Sequence, residues 1–165
     1  MTIRVAIDTN ILLSGIIWPR CPYAVLNHAL AGDFQLVLPE IVILEARRHM
    51  ELDFSAHQAH FENVLRMLPY ELAPFPRPEA VSAAAALVRQ VEDIPVALSV
   101  IAAKVDYFVT YDRDFTDEDD STKRVRTAIP GIILPPVFLR DVMGWTSEEL
   151  ESIRGRTWAD MPSTS

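Results

Sequence analysis

A single cysteine, Cys21, is all that this chain of 165 residues contains, so an intrachain disulfide is excluded and a reducing compartment is the expected home. No apolar run reaches the roughly 18 residues of a membrane span, and no basic stretch leads into an apolar one at the N-terminus. Neither a transmembrane segment nor a signal peptide is therefore expected, which points to the cytoplasm. Positive charge is also scarce: 15 Lys and Arg stand against 23 Asp and Glu, for a net charge of −8. That balance excludes coating of nucleic acid by bulk electrostatics, but it leaves room for a local site. Carboxylates that hold divalent cations become attractive to phosphate once filled, because the ions are then the largest local charges. Zinc has little support, since His57 and His60 form a pair without further ligands nearby and read as solvated helix residues.

What the chain does have is apolar content, 50% of its residues, enough for one domain with a real core. The elements alternate in the manner of an α/β protein. Ile3, Val5 and Ile7 are β-branched and sit in a run of strand length, as suits a strand buried on both faces of a parallel sheet. A helix follows from near Ile11, and "PYAVLNHALAGDF" gives a second that stops at Gly32. Phe34 to Leu38 reads as a strand, and Pro39 opens the helix "PEIVILEARRHM". Residues 54 to 68 form another amphipathic helix. The stretch Pro69 to Pro78 is too proline-rich for regular structure, although "YELAPF" could touch an edge strand. "EAVSAAAALVRQ" returns to helix, and "IPVALSVIAAKV" is a very apolar helix that must be largely buried. Asp106 to Thr110 and Ile132 to Leu134 supply the last strands. After a short helix, the polar end of the chain is expected to fray.

Acids stand at the ends of these elements. Asp8 ends the first strand, Asp93 precedes the buried apolar helix, and Asp112 and Asp114 follow the strand "DYFVT". Residues just past parallel strands converge on one edge of the sheet, where α/β proteins bind ligands. Taken alone, Asp8 has the lesser alternative of being only a helix cap. Glu45 lies inside a helix on the same face as Ile41, which could turn it toward that edge; a solvated Glu paired with Arg48 or His49 fits the pattern equally well. Arg47 and Arg48, and Lys123, Arg124 and Arg126, are grouped cations that either contact phosphate or simply face solvent.

The segments "VAIDTNILLSGIIWP", "LPEIVILEARRHM", "EDIPVALSVIAAKVDYFVTYDRDF" and "GIILPPVFL" resemble, in order and spacing, those of PIN domains, a family of metal-dependent ribonucleases. The chain is most similar to the branch that includes the toxins of bacterial toxin–antitoxin pairs. The resemblance covers roughly residues 3 to 140. It implies a three-layer α/β/α fold with a central, mainly parallel twisted sheet, occupying residues 1–142, followed by a helical extension and polar tail over 143–165. It also implies an acidic site of Asp8, Glu45, Asp93 and Asp112 with Asp114 close by, and supporting polar positions at Asn10 and Thr110. The implied cofactor is Mg²⁺ or Mn²⁺, the implied substrate RNA and the implied partner a small antitoxin protein. The insertion "TDEDDSTKR", Thr116 to Arg124, and the tail after about Trp145 depart from a minimal PIN domain.

The chemistry agrees with those residues. Mg²⁺ and Mn²⁺ are hard cations that take oxygen ligands, and acids gathered in one cleft repel each other until a cation compensates them. Asp8 and Asp112 are the expected direct ligands, with Asp93 and Glu45 ligating or orienting water. Asp114 is expected as the N-cap of a helical turn begun near Phe115. Rival readings have identifiable gaps. A haloacid-dehalogenase-like phosphatase calls for an aspartate where this chain has Asn10, and a phosphoacceptor receiver calls for a lysine after the last strand, where none follows Leu134. A non-catalytic RNA-binding or protein-interaction module on the same scaffold, or a housekeeping RNA-processing nuclease, remains the alternative. The apolar stretch Ile94 to Val105 could also offer a face to a second subunit and so form a homodimer.

Overall fold

The computed structural model of the chain describes residues 2–162. Five strands form one sheet: β1 Arg4–Ile7, β2 Gln35–Pro39, β3 Tyr70–Ala73, β4 Tyr107–Val109 and β5 Ile132–Ile133, in the order β3-β2-β1-β4-β5 with every pairing parallel. β1 is central because its residues tolerate burial on both faces: Val5, Ala6 and Ile7 are wholly inaccessible. Parallel strands need crossovers, and the helices that make them cover the sheet. They are α1 Thr9–Ile17, α2 Cys21–Leu30, α3 Glu40–Asp53, α4 Gln58–Met67, α5 Pro78–Ala83, α6 Ile94–Ala103, α7 Arg113–Thr116, α8 Lys123–Ala128, α9 Pro135–Asp141 and α10 Ser147–Ile153. This is the expected α/β architecture, a parallel sheet flanked by helices. No helix among the described residues is long and apolar enough to cross a membrane.

The strands and helices share one apolar core. α6 spends Ile94, Val96, Ala97 and Val100 on it, packing over β2 and β3 as its composition requires. Two glycines fix close geometry. Gly32 ends the α2 segment at φ +80, a conformation L side chains rarely adopt. Gly131 lies where a Cβ would come within 2.0 Å of the Asp106 carbonyl oxygen, so the approach of β5 to β4 admits no side chain there.

Four local expectations are corrected. The proline-rich stretch after Pro69 contains regular structure, because Tyr70–Ala73 pairs with β2 as an edge strand and its prolines fall outside the paired residues. The alanine-rich segment from 79 to 90 is helical only through Ala83. α5 buries no residue, and helix propensity without an apolar face to bury does not sustain a longer helix. The first helix begins at Thr9, directly after Asp8, rather than near Ile11. The end of the chain is docked rather than frayed through Asp160: Arg156 Nε donates to the Pro19 carbonyl at 2.6 Å and Trp158 Nε1 to the Ile17 carbonyl at 2.8 Å. The Trp158 ring also meets Tyr23 edge-on at 5.4 Å. The last three residues of the tail lie outside the described ones.

Candidate active site

β1 delivers Asp8 to the carboxyl edge of the sheet, 7% exposed. One carboxylate oxygen accepts the Thr9 N–H at 2.8 Å and caps α1. The other accepts the Thr110 hydroxyl at 2.7 Å, across from the end of β4. The cap and the site are therefore one residue. Thr110 Oγ1 in turn accepts the Asp112 N–H at 3.0 Å, so a single hydroxyl ties the acid after β1 to the acid after β4. Thr9 does the same on the other side, donating its hydroxyl to Glu45 Oε2 at 2.8 Å. Glu45 thus points from α3 toward the sheet edge, and the alternative pairing with Arg48 or His49 does not form; His49 instead faces Asp53 at 3.4 Å.

Asp93, in the 3-10 turn before α6, completes the group. Asp93, Asp112 and Asp114 each place one carboxylate oxygen within 4.8 Å of the others. Three carboxylate oxygens gathered at this range are an all-oxygen donor set of the kind that hard cations such as Mg²⁺ and Mn²⁺ take. Its electrostatics point the same way. Burial pushes the Asp93 carboxyl up to about 7, with the charges of Asp112, Asp114 and Asp8 adding to the effect. Burial also raises Asp8 to about 6, against the hydrogen bonds from Thr110 and Thr9 and with help from Asp112 and Glu45. Asp112 is raised by burial and by Asp114, while the Asp114 N–H and Arg89 pull it down. Carboxyls held this far from their ordinary range are those a bound cation would relieve.

The division of labour expected after β4 is reversed in one respect. Asp112, not Asp114, is the cap of α7, accepting the Asp114 N–H at 2.9 Å. Asp114 stays in the acidic cluster and accepts Arg89 Nε at 3.0 Å. Arg89 was not visible as a site residue in the sequence, where nothing marks it except its cationic charge ahead of an acidic insertion. It also donates to the Arg113 carbonyl at 2.6 Å, to Asp117 at 3.2 Å and to Ser121 Oγ at 3.1 Å, which holds the start of that insertion against the cluster.

Three further expected positions fall elsewhere. Asn10 is exposed and lines a groove with Leu13, Ser14, Trp18, His49 and Phe54. Arg47 donates Nε and Nη2 to the two carboxylate oxygens of Glu62 on α4, at 2.7 and 3.2 Å. Arg48 is exposed and makes no ion pair among the described residues.

Comparison with known proteins agrees with this layout. No curated protein matches the sequence. Among solved structures, PAE2754 from Pyrobaculum aerophilum is similar, with a TM-score of 0.57 and 17% identity over 88% of this chain and 98% of that one. VapBC2 from Rickettsia felis, a crystal structure bound to a DNA fragment from their promoter, is similar with a TM-score of 0.58 and 17% identity over 80% of this chain and 98% of that one. At that identity the likeness is one of fold. The sequence match is of a different kind, since the profile of the PIN domain fits residues 4–114, two-thirds of the chain, from the first residue of β1 through Asp114. The chain belongs to the PIN domain family.

Proposed function

We propose that the protein is a metal-dependent endoribonuclease that hydrolyses RNA phosphodiester bonds and acts as the toxin of a toxin–antitoxin pair in the cytoplasm. The observation that carries this reading is the meeting of Asp93, Asp112 and Asp114 oxygens within 4.8 Å at the edge where Thr110 and Thr9 bind Asp8 and Glu45. Asp93, Asp112 and Asp114 would hold Mg²⁺ or Mn²⁺, with Asp8 beside them. Such an ion, when bound, supplies Lewis acidity, lowering the pKa of water and stabilising charge on phosphoryl oxygens.

The remaining work falls to the chain. Thr110 fixes Asp8 and the Asp112 backbone in one geometry, so neither acid must reorganise as charge develops. Glu45 gives one oxygen to Thr9, and its other oxygen is left to orient or deprotonate an attacking water. No serine, cysteine or histidine nucleophile is required. The test is incubation with a mixed RNA pool in Mg²⁺ or Mn²⁺, then in EDTA, beside Asp112→Asn. Metal-dependent fragments that disappear in EDTA and in the variant support the reading. Cleavage persisting fully in EDTA overturns it, and RNA binding without cleavage would support the non-catalytic module.

The family's toxin branch and the fold likeness to VapBC2 support a small protein partner. The acids themselves suggest its chemistry, because a guanidinium pairs with two carboxylate oxygens in a fork. A tagged chain purified from its own host should carry a small protein at stoichiometric level. Recovery of the chain alone counts against the pair.

A further inference from the structure

A cavity of about 420 Å³ reaches Tyr111, the residue between Thr110 and Asp112, and the site described above does not use it. Its walls come from distant parts of the chain. Arg20 and Cys21 stand at the start of α2, Tyr111 just past β4, Arg140 on α9, and Leu150 and Arg154 in the C-terminal segment. We propose that this cavity binds the nucleotide of the RNA strand that flanks the scissile phosphate. Tyr111 stacks on its base, and Arg20, Arg140 and Arg154 engage its phosphates. The assignment rests on the RNA reading above and adds to it where the strand lies.

Position is the first argument. Tyr111 lies between Thr110, which holds Asp8, and Asp112, which belongs to the acidic cluster. Consecutive Cα atoms are about 3.8 Å apart, so the backbone that bears this ring adjoins the segment that bears the acids. Tyr111 is 43% exposed, a large aromatic residue that the core does not absorb. Base–aromatic stacking is the sequence-tolerant way that proteins hold single strands. The cavity volume falls within the range of small-molecule sites, about 300–1,000 Å³, and so suits a nucleotide.

Charge is the second argument. In a protein of net charge −8, three guanidiniums line this cavity against one carboxylate, Glu151. Arg140 is paired with Asp141 at 2.7 Å and Arg154 with Glu151 at 3.7 Å, but each of these side chains is more than half exposed. Pairs so exposed contribute little, and a phosphate can exchange for them. Arg20 is held in place through Nε, which donates to the Arg156 carbonyl at 3.1 Å, while its other guanidinium nitrogens remain for a ligand. Arg140, Leu150 and Arg154 lie beyond the residues matched by the PIN domain profile, so the C-terminal segment builds this wall.

The experiment measures affinity separately from cleavage. A labelled ten-nucleotide single-stranded RNA is titrated into Asp112→Asn, which leaves the probe intact, at several salt concentrations. Adding Tyr111→Ala should weaken binding about tenfold, and Tyr111→Phe, which keeps the ring, should not. The pair Arg140→Gln and Arg154→Gln should lower the slope of log affinity against log salt by about 1.4, at about 0.7 per phosphate contact for single strands. Arg66→Gln on α4, outside the cavity, should leave affinity unchanged. Unchanged affinity in Tyr111→Ala together with an unchanged salt slope overturns the proposal. Absence of metal-dependent cleavage by the unsubstituted protein would sink the nuclease reading alone, because these binding outcomes do not depend on turnover.

Discussion

Replacing Asp93 by asparagine should abolish RNA cleavage and at the same time raise the melting temperature of the metal-free protein. Residues kept for structure do not behave this way, which is what makes the pair of outcomes informative. Burial and the charges of Asp112, Asp114 and Asp8 lift the Asp93 carboxyl from 3.8 to about 7 in the folded chain. Between those values the folded protein holds a proton that the unfolded chain releases, so stability falls as pH rises through that window. Above about pH 7 the whole cost is present. An asparagine side chain carries no charge at any pH and escapes it. Because Asp93 is only partly buried, solvent screening reduces the gain to about 1 kcal/mol, or a rise of about 2–4 °C for a chain of this size. The gain should be present at pH 8 and largely gone near pH 4. Mn²⁺ should stabilise the unsubstituted protein and do less for the variant, since ligand binding to the folded state alone raises stability. Melting curves at the two pH values, with and without Mn²⁺, read all of this beside the cleavage assay. A variant that melts lower at pH 8 and still cleaves RNA would show that Asp93 supports the fold and not the chemistry.

How much of this was legible beforehand depended on how local each signal is. Asp8 could be read because a β-branched run followed at once by Asp-Thr-Asn marks both the end of a buried strand and the start of a helix. Glu45 was half legible. Helical spacing puts it on the face of Ile41, but only the fold places the Thr9 hydroxyl opposite it. Asp112 and Asp114 were found together by their position after a strand, yet which of them caps α7 depends on side-chain direction in a turn, which spacing does not encode. β3 was obscured by the prolines around it, because a strand is defined by its partner and β2 lies more than thirty residues away in sequence. The docking of Arg156 and Trp158 onto the Pro19 and Ile17 carbonyls was hidden for a similar reason, since it joins residues at opposite ends of the chain. Periodicity reports a residue's own element and is silent about such distant partners.

Arg89 is the strongest case of that silence, and it supports the second large prediction: Arg89→Gln should slow cleavage about 100-fold at saturating metal. Its guanidinium meets Asp114, Asp117, Ser121 and the Arg113 carbonyl, so one side chain fixes both a member of the acidic cluster and the insertion behind it. Two effects oppose each other when it is removed. Loss of a cation next to Asp114 strengthens the local negative potential and favours metal binding. Loss of four contacts releases the segment that carries Asp114, so its carboxylate no longer has a set direction. Positioning should win, because Asp112 keeps its own supports from Thr110 and the α7 cap, which preserves metal binding, whereas Asp114 pairs with no other cation among the described residues. Partners that orient metal ligands are typically worth about 10–100-fold, and Arg89 also holds a whole segment, which places it at the upper end. Lysine should not rescue, since a point charge cannot reproduce the fork that reaches Asp114, Asp117 and Ser121 together. Limited trypsin digestion supplies the independent readout: the variant should be cut faster at Arg113, Lys123 or Arg124, while β1 and the core helices stay protected. If Arg89→Gln leaves both the cleavage rate and the tryptic pattern unchanged, the guanidinium neither positions Asp114 nor holds the insertion.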